Sequence, residues 1–387
     1  RPKALTARAA AAPAAPAQPY HFTWLPLRLQ PQPLAGDHPW VLLGRQSALS
    51  DALCRRLAAQ GVAVRAYPTT AALLADKTRL AQPIAALLDL QPLDEPRLAE
   101  APQWQAAAES ASLTQLPALL RALEAGAPSA PFWLLTAGGA PLGRPTGAGG
   151  QCLPGTWKPD PLQALYWPFL RGAELERERG ALGLLDLGDG WRAEAVDGLA
   201  AQILALVGGA GDERQVARSG ADFLGLRLVP LAPLARAAGP AESNPPAFDP
   251  QGLYLVAGGA GGLGRQLCRW LVKRGAGHLL VLGRRNADPE LESLLATLRA
   301  QGAVVDYLAC RLGAPDCPAL LAEALRDRPA LRGIVHAAGT AVSRAADDLD
   351  LKAWRSLFRA KVAGVQQLDA LARDRRPALF LLCSSAA

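Results

Sequence analysis

The chain has no methionine, four histidines, and few aromatic residues, 5% of its 387 positions. Each shortage narrows what it can be. With no methionine and Arg1 at its start, the sequence is expected to be a piece cut from a longer polypeptide. The six cysteines (Cys54, Cys152, Cys268, Cys310, Cys317 and Cys383) form no CxxC pair, and none sits near a histidine at ligand spacing, so no metal site is expected. They are expected to be mostly buried free thiols of a reducing cytoplasm. No apolar run reaches the roughly 18 residues that cross a bilayer, and no signal-peptide pattern is present, so no membrane partner is expected. Net charge is +7, but Lys and Arg lack a basic block and interleaved aromatics, which argues against a nucleic-acid partner.

What is present is globular in composition: half the residues are apolar and 19% are charged, over a length that suits two domains. An Ala/Pro-rich linker is expected over 1–20, a structural subdomain over 21–247 and a second subdomain over 248–387. The division falls in the Pro-, Gly-, Ser- and Asn-rich stretch Ala237–Gly252. Tyr20–Leu29 alternates like a half-buried strand. Short buried strands follow at Pro39–Gly44, Val62–Tyr67, Ile84–Leu90 and Phe132–Gly139, with helical segments between them. The second half repeats this alternation from Leu253 to Gly339. Both halves therefore read as α/β, two Rossmann-like parallel sheets with helices on both faces. The first half offers one glycine, Gly44, where a dinucleotide site wants three, so it is read as lacking a cofactor.

The stretch Leu253–Gly264, LYLVAGGAGGLG, is a buried strand, a glycine-rich turn and the start of a helix expected near Arg265. Gly259-Ala260-Gly261-Gly262-Leu263-Gly264 fits GxGxxG, and Gly258, Gly262 and Gly264 fit the looser spacing of short-chain reductases. Glycines permit the tight turn and close backbone approach, and the helix N-terminus offers free N–H groups to a pyrophosphate. The plainer alternative is a turn that only packs helix on strand. The next strand ends in Arg284-Arg285, with no acid before Asp288. An acid at that place takes the ribose 2′-hydroxyl of NAD, whereas arginine pairs with the 2′-phosphate of NADP. NADPH is therefore the expected cofactor; plain solvation is the alternative for the two arginines.

From Leu253 onward the sequence resembles the ketoreductase domain of modular polyketide synthases, an extended short-chain dehydrogenase. The resemblance rests on Tyr254–Arg285, GIVHAAG at Gly333–Gly339, RAKVAG at Arg359–Gly364 and LFLLCSSAA at the end, with 24 residues between Lys361 and Ser385. More loosely, it extends back through TWLPL, ALGLLDLGDG and QVARSGADFLGLRLVPL, where such enzymes carry a structural subdomain. The resemblance implies that Gly258, Gly261, Gly262, Leu263 and Gly264 hold the cofactor pyrophosphate, Arg284 and Arg285 its 2′-phosphate, and that Ala338 lies beside it. It implies catalytic roles for Lys361 and Ser385, two members of a Lys, Ser, Tyr, Asn tetrad, with Ser385 bonding the ketone and Lys361 lowering the pKa of the tyrosine. His336 is read as scaffold. The implied reaction is reduction of a β-ketoacyl chain on an acyl carrier protein, beside neighbouring synthase domains.

Four departures stand out. Ala257 replaces a usual Thr before the first glycine, and Arg311 replaces a usual Asp near the adenine. Thr340-Ala341-Val342-Ser343 replaces the Leu-Asp-Asp of one stereochemical class, so the opposite alcohol is expected. The chain ends two residues after Ser385, before the position of the catalytic Tyr, and none of its five tyrosines substitutes by position. An incomplete ketoreductase is the preferred expectation. The alternatives are a reductase-inactive structural pseudo-ketoreductase of a megasynthase and a free-standing reductase of small ketones.

Overall fold

The computed structural model describes residues 20–29, 34, 37–76, 82–96, 108–109, 112–140, 145–146, 151–152, 160–177, 182–188, 191–193, 195–209, 211, 213–220, 222–230, 248–339 and 344–384. Two sheets, each with helices on both faces, carry the fold.

The first sheet contains β1 (Tyr20–Pro26), β2 (Trp40–Leu43), β3 (Val64–Tyr67), β4 (Ala86–Asp89), β5 (Phe132–Thr136), β6 (Leu182–Asp186), β7 (Gln215–Ser219) and β8 (Asp222–Pro230), in the order β1-β8-β7-β6-β5-β4-β2-β3. The strands from β7 to β3 run parallel. All of β2, β4, β5 and β6 is buried, as short unbroken apolar runs require when both faces are covered. The parallel strands carry an antiparallel edge. β8 folds back on β7 through Gly220 (φ 61°), and β1 pairs antiparallel with β8 from Tyr20↔Pro230 to Pro26↔Leu224. At that edge Trp24 packs against the core, while Phe22 and Leu25 are exposed.

The second sheet contains β9 (Leu253–Ala257), β10 (His278–Gly283), β11 (Val304–Ala309), β12 (Leu331–His336) and β13 (Leu379–Leu382). Its order is β11-β10-β9-β12-β13, parallel throughout. β9 is fully buried, and the strand order reverses between β9 and β12, which opens a crevice at their carboxyl ends.

Helix Leu351–Phe358 joins the halves. Trp354 and Phe358, one turn apart, bury against the first sheet's core, with Trp354 5.5 Å from Phe169 and stacked on Phe358. Arg355 pairs with Glu109 at 3.0 Å, and the Ala346 N–H donates to Glu176 at 2.6 Å.

Candidate functional site

The crevice of the second sheet is a cleft of about 810 Å³. Its floor is the glycine turn. Gly258 has φ 81°, and a Cβ there would lie 2.5 Å from the Ala338 nitrogen. A Cβ on Gly264 would lie 2.2 Å from the Gly258 carbonyl oxygen. Only glycine allows the turn to pass this close to the helix behind it and the strand beside it. The Gly258 and Gly259 N–H groups donate to the Leu282 carbonyl at 3.0 and 3.1 Å, tying the turn to the end of β10.

The helix behind the turn runs Gly262–Lys273, three residues earlier than the sequence places it. Gly261 caps it without a side-chain acceptor, so its first N–H groups are left to solvent or a ligand. Gly262 adds no bulk there, and Leu263 is exposed. Arg265, sequence-silent, clamps the loop: its Nε donates to the Ala260 carbonyl at 2.9 Å, and its guanidinium bonds Asp288 at 2.9 Å and Glu290 at 2.7 Å.

Arg284 and Arg285 line the cleft and are exposed. The Tyr307 hydroxyl donates to the Arg285 carbonyl. Tyr307 thus lies at the β10–β11 end of the cleft and fixes a turn there. Arg311 lines the same end, and Lys352, Arg355 and Arg359 line the wall supplied by helix Leu351–Phe358 and the residue after it. These three, spaced by three and four positions, share a face distinct from that of Trp354 and Phe358. The sequence reading missed this wall; the only signal was the basic spacing of 352, 355 and 359. Asp288 is the one carboxylate among the described lining residues, which are otherwise strongly positive.

Ala338 lines the cleft directly against Gly258. Lys361 sits on a π-helical turn, Arg359–Ala363, and its Cε lies 3.4 Å from where a Gly339 Cβ would be. It therefore reaches the end of β12 beside the cleft. His336 is buried, with its ring Nε2 3.2 Å from the Ala360 carbonyl oxygen, and burial holds its pKa below the ordinary value. Ser385 and Thr340–Ser343 lie outside the described residues. Among the described cysteines, Cys268, Cys310 and Cys317 are buried free thiols, and the last two meet with sulfurs 2.6 Å apart. No metal-binding group of His, Cys, Asp or Glu and no membrane-length apolar helix occurs among the described residues.

The cleft fits a dinucleotide: a glycine turn that a Cβ at Gly258 or Gly264 would disrupt, free helix N–H groups, and guanidinium groups at one end. Residues 252–387 match the model of the KR domain. Over 265 residues the chain is 33% identical to erythronolide synthase EryA3 of Saccharopolyspora erythraea, a match of 66% of this chain and 8% of that protein. Over 263 residues it is 32% identical to the pikromycin synthase component PikAIII of Streptomyces venezuelae, covering 66% and 15%. The chain therefore spans a small part of these relatives. A solved structure of A-type ketoreductases from a modular polyketide synthase superposes with TM-score 0.70 at 27% identity, over 95% of this chain and 74% of that one.

Proposed function

We infer, for a chain whose residues 252–387 belong to the KR domain family, that it is the ketoreductase unit of a modular polyketide synthase. It uses NADPH to reduce the β-keto group of an acyl chain carried on an acyl carrier protein. Bound NADPH would supply a hydride. The protein's share is binding, orientation and proton supply. The first helical turn, with Gly262, Leu263 and Gly264, gives backbone N–H groups to the pyrophosphate, and Gly258 and Gly261, whose own N–H groups are already bonded, give it clearance. Arg284 and Arg285 take the 2′-phosphate, and Ala338 closes the cleft from the end of β12. Lys361 lies beside that strand end, where its charge favours a nearby acid giving up its proton. Ser385 is assigned the ketone by resemblance alone. Residues 21–247 are the structural subdomain and 248–387 the catalytic one.

The observation that carries this reading is the Gly258–Ala338 contact at the strand-order reversal, open to a cleft lined with arginine. The test is NADPH consumption by this protein with a simple β-ketoacyl thioester, beside an NADPH fluorescence titration. Turnover to the β-hydroxy thioester is the expected result. NADPH binding without turnover would favour the structural pseudo-ketoreductase, and failure to bind would refute the cofactor site.

A further inference from the structure

We propose that Arg311 is a specificity residue of the cleft. With Arg284 it forms a two-guanidinium seat for the ribose 2′-phosphate and selects phosphorylated dinucleotide over unphosphorylated. The proposal rests on the dinucleotide reading above and extends it to a residue which sequence resemblance marks only as a departure.

The geometry begins with the ladder. β10 and β11 run parallel with Gly283 opposite Ala309, and the Cys310 N–H extends the pairing by donating to the Gly283 carbonyl at 2.8 Å. Continued one step, this register sets Arg284 opposite Cys310 and Arg285 opposite Arg311, so Arg284 and Arg311 leave neighbouring strand ends one position out of step. Both are exposed and both line the cleft. Neither forms an ion pair or a side-chain hydrogen bond among the described residues.

The alternative ribose partner is already engaged. Asp288, the only carboxylate among the described lining residues, accepts both bonds from Arg265 and caps helix Pro289–Ala300 by accepting from the Leu291 N–H at 2.7 Å. An acid so occupied is a poor acceptor for a 2′-hydroxyl, and it leaves the two guanidiniums uncompensated. Both arginines also stand on fixed backbone. The Tyr307 hydroxyl holds the Arg285 carbonyl, and Gln367 accepts from the Gly313 N–H at 2.8 Å just past Arg311. Unpaired guanidiniums on tethered, adjacent strand ends suit a phosphate dianion, which each can bond in a charge-assisted way.

The test is equilibrium binding of NADPH and NADH to the full chain by fluorescence titration. In Arg311→Ala, NADPH affinity is expected to fall about tenfold while NADH changes by less than about twofold. Arg311→Lys should restore part of the preference, because it keeps the charge but loses the fork. An unchanged thermal midpoint in both variants would separate this effect from misfolding. Equal losses for the two nucleotides, or none, would overturn the assignment while leaving the dinucleotide site intact. A wild-type chain that binds neither nucleotide would overturn the site itself.

Discussion

After β2 the chain turns at Gly44, and after β9 it turns at Gly258. Both glycines have positive φ, 137° and 81°, and both face the end of the neighbouring strand across the strand-order reversal. A Cβ on Gly44 would meet the Leu90 side chain at 2.9 Å; one on Gly258 would meet backbone at Ala338. From there the two crevices diverge. In the first, a short helix, Gln91–Asp94, fills the space, and the Asp94 carboxylate accepts from the Arg45 N–H at 2.7 Å, where an anionic ligand would otherwise sit. Asp89 adds a buried acid and Glu95 a half-buried one. In the second, a glycine-started helix and arginines leave the space open and positive. The topology supplies a crevice in both cases. A few residues at two strand ends decide whether it is plugged by the chain's own carboxylate or kept for a phosphate.

The halves are not independent, and separating them should give the largest effect. Trp354 buries its ring on the first sheet's core while its helix presents Lys352 and Arg355 to the cleft. Trp354→Ala should cost about 3–5 kcal/mol in denaturant unfolding and weaken NADPH binding together. Loss of stability with unchanged binding would show that the wall does not depend on the first half. Next in size is an exchange of glycines. Gly264→Val, placed against the Gly258 carbonyl, should lower NADPH affinity by at least about a hundredfold. Gly44→Val should destabilise the fold by about 1–3 kcal/mol yet leave NADPH affinity within about twofold. Titrating both variants checks the contrast.

Much of this was legible in the sequence, for local reasons. β9 and the glycine turn are adjacent, and an unbroken apolar run followed by glycines has few other readings. Arg284 and Arg285 follow a strand whose end must lie at the crevice. Non-local pairings were not legible. β1 meets β8 some 200 residues away, and nothing in either segment states its partner or register. The plug at Asp94 has the same character, since a carboxylate in a short helix does not announce that it accepts from Arg45. Lys361 reaches Gly339 through a π-helical turn that no period predicts, so resemblance alone found it.

The smallest effect is expected from pH. Asp89 sits at the end of β4, fully buried, accepting from the Gln91 backbone and side chain at 3.0 Å each. Burial raises its pKa to about 7, helped by Glu95 and Asp94 and opposed by those hydrogen bonds. Its unfolded value is near 3.8, so the folded chain holds the proton in between. The resulting stability is full below the unfolded value and is lost as pH rises through about 7. The thermal midpoint should fall by about 2 °C from pH 6 to pH 8.5, and Asp89→Asn should flatten that slope. Parallel curves for the two proteins would assign the slope to another group.

The most direct test of the contrast is hydrogen exchange of the chain with and without NADPH. Protection is expected at Gly258–Gly264 and at Ala337–Gly339, with no change at Leu43–Arg45 or Leu90–Asp94. Protection at the Gly44 turn, or none at the Gly258 turn, would contradict the assignment of the open crevice to the second half alone.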